Sequence, residues 1–123
     1  VSGHGAALLD DDSVRRRGKV GLEVTVEEAQ ASARALAIKM LATIKCAIGD
    51  LDRVEKVVKI LGMINAHPDF EEPNKVLNGA SDLLYDVFGS EIGCHARSSM
   101  GVETLVDRQP VEIEGIFHIQ TGG

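Results

Sequence analysis

The sequence predicts an α+β fold, a β-sheet covered by two helices, on three observations. A capping sequence opens a long stretch of helical spacing at Thr25. A dense apolar, β-branched run follows from Val54 to Asn65, and the last third of the chain alternates with period two. A length of 123 residues suits a single domain over 1–123, large enough to bury one core.

The N-terminal stretch Val1 to Ala6 reads as the end of a strand, and Asp10-Asp11-Asp12 as a polar turn. The Arg15-Arg16-Arg17 run largely cancels those aspartates at a distance and needs no partner. Thr25-Val26-Glu27-Glu28 has the form of a capping box, so a helix begins there. Ala29, Ala33, Leu36, Ala37, Met40, Leu41, Ile44 and Ile48 continue at helical spacing until Gly49 stops them. Val57, Val58, Ile60, Leu61, Met63 and Ile64 are too dense for a half-exposed strand, which predicts a strand covered on both faces. Gly62 within it suggests a bulge or the close approach of another backbone.

A turn at Ala66-His67-Pro68-Asp69 precedes a second helix whose first turn holds Pro73. Its stripe is Val76, Leu77, Ala80, Leu83, Leu84 and Val87, ended by Gly89. Beyond it, Cys94, Ala96, Ser98, Met100 and Val102 share one face of a strand, with His95, Arg97 and Ser99 on the other. In the final strand Val111, Ile113, Phe117 and Ile119 face the core, while Glu112, Glu114 and His118 face away.

Composition narrows the function. Hydrophobic residues at 44% and charged residues at 26% describe an ordinary soluble protein. No stretch reaches the ~20 apolar residues of a membrane span, because Arg34, Lys39 and Lys45 interrupt the longest helical run. A net charge of -6 and only three Phe and one Tyr speak against nucleic acid, which calls for clustered cations and stacking rings. Cys46 and Cys94 form at most one bridge, which fits reduced thiols and a cytoplasmic location, with Cys46 a core residue of the first helix. His4, His67, His95 and His118 match no ligand spacing, so no metal is expected.

Arg97, on the polar face of an internal strand, presents a rigid fork that can grip a carboxylate through two parallel bonds. It can equally form an ion pair with Glu112 or Glu114 across the sheet. Glu112 could act as a base or orient a water, or be a surface glutamate. Asn78 is either an exposed helix amide or a ligand contact, and the glycines of Ser2-Gly3-His4-Gly5 could expose backbone N–H groups to an anion.

Ser2-Gly3 at a strand end, Asn78 in the second helix, Ala96-Arg97-Ser98 and Val111-Glu112-Ile113-Glu114, in this order, resemble the Rid or YjgF proteins. These are the reactive intermediate deaminases also labelled L-PSP endoribonucleases. The wording around Asn78-Gly79-Ala80-Ser81 and His95-Ala96-Arg97-Ser98 is closer to a less characterised branch. The resemblance implies a mixed sheet with two helices on one face, similar to trimeric chorismate mutase, and a homotrimer with ligand clefts between subunits. It implies that Arg97 grips the carboxylate of a 2-imino acid and that Glu112 positions the attacking water. Gly3, Asn78 and the Ser99 position would bind substrate in the same cleft, and no cofactor is needed. The expected activity is hydrolysis of 2-imino or enamino acids to 2-oxo acids and ammonia, or else binding of small carboxylates without turnover. Three positions depart from the archetype: His4 replaces a glutamine, His95 a proline and Ser99 a cysteine. The chain also starts where the family's second strand ends, without the first strand and its tyrosine. The ribonuclease label is opposed by the acidic charge.

Overall fold

The computed structural model describes residues 1–5 and 16–121. In chain order these form strand β1 (His4–Gly5), helix α1 (Val26–Ile48), strand β2 (Val54–Asn65), helix α2 (Pro73–Ile92), strand β3 (Ala96–Val102) and strand β4 (Val111–Ile119). Ala6, the Asp10 to Asp12 turn and Arg15 lie outside the described residues.

Helix α1 starts because Thr25 and Glu28 satisfy each other's backbone N–H groups, at 3.1 and 3.0 Å. The Thr25 N–H holds the Glu28 carboxyl below its ordinary range, with a smaller contribution from Arg16, which lies 3.1 Å away. Ala29, Ala33, Leu36, Ala37, Met40, Leu41 and Ile44 are buried as their spacing predicts, and Gly49 ends the helix at a positive φ of 91°. Cys46 departs from expectation. It lies on the exposed side of α1, and both it and Cys94 are free thiols.

The sheet is mixed, in the order β1-β4-β2-β3, with β2 parallel to β3 and antiparallel to β4. Helix α2 is the crossover that a parallel pair requires. Gly62 and Gly115 show that both helices cover one face. They pair with Ile113 and Ile60, on the same side of the sheet. A Cβ on Gly62 would meet Leu77 of α2 at 2.7 Å, and one on Gly115 would meet Met40 of α1 at 2.9 Å. The close approach at Gly62 is therefore to a side chain rather than to another backbone.

Among the described residues no helix lies over the other face, so within one chain β2 is covered by helices on one face only. Its apolar run is shared between the two faces. Register shifts between Val54 and Lys56 and between Val57 and Lys59 change the phase of the strand. Val54, Val57 and Ile60, spaced by three, all reach the core, after which Ile60, Gly62 and Ile64 alternate normally. Lys59, Leu61 and Met63 then face the open side with Ala96, Ser98 and Met100 of β3 and Glu112, Glu114 and Ile116 of β4.

Helix α2 keeps its predicted stripe except at its end. Val87 is exposed, and Gly89 interrupts the helix at φ 82°, ψ 177° before a last turn runs to Ile92. The stop is Gly93, whose N–H reaches the Gly89 carbonyl at 3.0 Å. Gly79 sits where α2 crosses α1, and a Cβ there would collide with the Gln30 carbonyl. Gln30 Nε2 also donates to the Lys75 carbonyl at 2.7 Å, fixing the crossing.

Two stability outcomes follow. Gly79→Ala must push the helices apart and should cost about 1–3 kcal/mol in urea denaturation. Thr25→Ala should cost about 1 kcal/mol by removing the cap. The Glu28 carboxyl is depressed in the folded state, so its contribution is present above the ordinary carboxylate range and lost as pH falls through the depressed value. The stability gap between wild type and Glu28→Ala, followed by thermal melting, should close on acidification.

Candidate functional site

Strand β3 is the edge of the sheet, not an internal strand, and this changes the surroundings of Arg97. Arg97 pairs with Ile60, whose side chain is buried under the helices, so Arg97 also points to the helix side. There it meets the polar side of α2. Asn78, Ser81, Asp82 and Tyr85, spaced i, i+3, i+4 and i+7, form a polar stripe beside the apolar one. With His95 and Arg97 they line a cavity of about 290 Å³.

Hydrogen bonds order this cavity. Arg97 Nη1 donates to Ser81 Oγ at 3.1 Å, and Ser81 Oγ lies 2.9 Å from His95 Nε2. His95 Nδ1 donates to the Gly93 carbonyl at 2.6 Å. Tyr85 packs against the imidazole with ring centres 5.5 Å apart. Hydrogen bonding to Cys94, followed by desolvation, raises the Tyr85 phenol above its ordinary value. Among the described residues the ion pairs use other side chains, and Arg97 has no carboxylate partner.

Glu112 belongs to a second cluster. It pairs with Met63 on the open face, and Gln109 Nε2 donates to its Oε1 at 2.8 Å. Gly3 lies against it so closely that a Cβ would stand 2.7 Å from Glu112 Oε2. Gly5 similarly leaves room for the buried Gln109 amide. Next to this cluster, Ser2, Lys59, Leu61, Glu114 and Ile116 line an open-face cavity of about 350 Å³.

Arg97 and Glu112 therefore do not meet within one chain. β3 and β4 lie on opposite sides of β2, two strand spacings or about 10 Å apart, and the side chains leave opposite faces of the sheet. The expected cross-strand ion pair with Glu112 or Glu114 does not form. Asn78 joins the Arg97 cluster and Gly3 the Glu112 cluster, so within one chain the residues expected to share a cleft between subunits lie in two places. Ser99, opposite Gly62, is half-buried on the helix side and does not line the Arg97 cavity. His4 is structural: it is buried, with Nε2 2.9 Å from Thr43 Oγ1 and Nδ1 2.9 Å from the Ser2 carbonyl.

Ser81, Tyr85, His95 and Gln109 were not singled out as site residues from sequence. The helical spacing of the stripe that starts at Asn78 was a signal for the first two. Gln109 offered none, because a buried amide in a loop has no pattern. Among the described residues no three His, Cys, Asp or Glu side chains are grouped as metal ligands would be, and no helix is long and apolar enough to cross a membrane.

Comparison with known proteins agrees with this architecture. Residues 5–106 match a family model described as YjgF/chorismate mutase-like, putative endoribonuclease. Protein TCP17 of Trypanosoma cruzi is 44% identical over 102 residues, which is 83% of this chain and 64% of that protein's length. The crystal structure of Atu1372 from Agrobacterium tumefaciens, a protein of unknown function, is similar with a TM-score of 0.90 at 36% identity. That likeness covers 98% of this chain and 74% of Atu1372. A structure described as a putative endoribonuclease from Shewanella oneidensis MR-1 is similar with a TM-score of 0.82 at 30% identity, covering 91% of this chain and 72% of its own. With the mixed four-stranded sheet, its two helices and a family match spanning most of its length, the chain belongs to the YjgF/chorismate mutase-like family.

Proposed function

We propose that this protein hydrolyses 2-imino or enamino acids to 2-oxo acids and ammonia, at sites assembled from two copies of the chain. The observation that carries the reading is the Arg97 fork, which is hydrogen-bonded at one nitrogen, faces a cavity and has no carboxylate partner among the described residues. Such a fork suits a ligand carboxylate. Asn78 adds an amide to the same wall.

The chemistry asks little beyond position, because an imine carbon is already electrophilic. With the substrate carboxylate on Arg97, water adds to the carbon of the C=N bond. Glu112 accepts a proton from that water and returns it to the nitrogen, and the new hydroxyl gives up the second proton as the C–N bond breaks and ammonia leaves. The 2-oxo acid remains, and no electrons are exchanged with a cofactor. Glu112 suits this part because Gln109 orients one oxygen while the other lies over Gly3.

Because the two clusters lie on opposite faces of one sheet, the reaction needs a second copy to bring its Glu112 cluster to Arg97. The uncovered sheet face supports such an assembly. Met100 is 45% exposed and Ile116 60% exposed there, beside Leu61 and Met63. A symmetric trimer would bury that face on each subunit and form one site at each boundary.

Ammonia release from an imino acid generated by an amino-acid oxidase tests the activity, which should exceed the buffer rate. Arg97→Lys should lower kcat/KM roughly 100-fold, since an ammonium cannot reproduce a bidentate grip. Arg97→Ala and Glu112→Gln should each be inactive. Unfolded and refolded together, they should regain activity at about a quarter of the sites of a randomly mixed trimer. No recovery would sink the shared site. Binding of a 2-oxo acid that raises Tm, with no ammonia formed, would leave a carboxylate-binding protein without catalysis.

A further inference from the structure

The sharing of Ser81 between His95 and Arg97 has a fixed proton logic. The Gly93 carbonyl can only accept, so the proton of its 2.6 Å bond sits on His95 Nδ1. In the neutral ring Nε2 is then a bare acceptor, and the proton available to it 2.9 Å away is that of the Ser81 hydroxyl. Once that hydroxyl points at the imidazole, its lone pairs are left for Arg97. A guanidinium can only donate, and Nη1 does so at 3.1 Å. Each proton has one place, and the chain runs in one direction from Arg97 through Ser81 and His95 to Gly93.

We infer that Ser81 and His95 are positioning residues that set the plane of the Arg97 guanidinium and thereby determine the affinity of the site for 2-oxo and 2-imino carboxylates. The inference rests on the reading of Arg97 as a carboxylate anchor. Arg97 stands on an edge strand and is half-buried, with a long side chain that would otherwise sample several rotamers. Holding one nitrogen on Ser81 removes that freedom before the ligand arrives and leaves the remaining N–H groups for it. Ser81 suits the task because its residue is 6% exposed and fixed in α2, against which Arg97 packs. The Tyr85 ring, 5.5 Å from the imidazole, limits its rotation.

The same contacts argue against Ser81 as a nucleophile, although a serine beside an imidazole invites that reading. A lone pair of its oxygen is occupied by a cation, which lowers its nucleophilicity. The other ionisable groups around this cavity are Asp82, Tyr85 and Cys94.

Two measurements on the whole chain test the relay. Long-range proton–nitrogen NMR of the imidazoles, with His95 identified by its disappearance in His95→Gln, should find the Nδ1–H tautomer at neutral pH. A ring protonated at Nε2 would overturn the proposal. Pyruvate, titrated calorimetrically, reads the effect on the site. Ser81→Ala and His95→Leu should each weaken binding about tenfold, and the double variant should be no worse than the weaker single. His95→Gln should stay within about twofold of wild type, because its side-chain oxygen can replace Nε2 as acceptor. Additive losses, single variants indistinguishable from wild type, or labelling of Ser81 by a fluorophosphonate would each overturn it. If wild type binds no pyruvate, the carboxylate reading fails instead, and the tautomer of His95 still decides the relay, as it does if Ser81→Ala does not fold.

Discussion

The carbonyl of Gln30 occupies the space that a side chain at position 79 would need, and this contact lets α1 and α2 lie close together over one face of the sheet. Among the described residues the other face is left without a helix. Apolar residues accordingly gather on the inner side of β2 and β4, where Ile60, Ile64, Val111 and Ile113 are buried. The edge strand escapes this rule. Beyond the apolar stripe of α2 its neighbours are Asn78, Ser81 and Asp82, so Arg97 can point inward without facing hydrocarbon. A cation on the helix side and a carboxylate on the open side are both products of that one-sided packing.

Local features of the fold were legible where a short sequence states its own physics. The capping box at Thr25, the stop at Gly49 and Pro73 in the first turn of α2 each depend on a few neighbouring residues, and each stands where it was read. The strand of β2 was legible as a strand but not in its exposure. Val54, Val57 and Ile60 reach the core across its two register shifts, while Leu61 and Met63 of the same apolar run face the open side. Gly89 misled for a related reason: a glycine can bend a helix without ending it, and the turn beyond it survives.

The candidate residues could be singled out in the sequence, but where each would lie could not. Arg97, Glu112, Gly3 and Asn78 were identified by wording and side-chain chemistry, which do not depend on strand order. Their grouping does. With β2 between them, the consecutive strands β3 and β4 are not neighbours in space, and the pairing expected of Arg97 with Glu112 had no adjacent strand to occur on. Orientation was hidden too, because period two separates the faces of a strand without saying which one a helix will cover. The buried Gln109 amide became visible only when its partner Glu112 was in view.

The register shifts of β2 also act as insulation. Both occur before Lys59, whereas the positions opposite Arg97 and Glu112, Ile60 and Met63, lie after it in uninterrupted register. Where a strand already tolerates an irregular step, a residue gained or lost can be taken up locally, and the error need not travel to the regular part. The first half of β2 can thus gain or lose a residue while the second half keeps its alignment. One strand in this way joins a tolerant segment to an exacting one, with the boundary between them at Lys59.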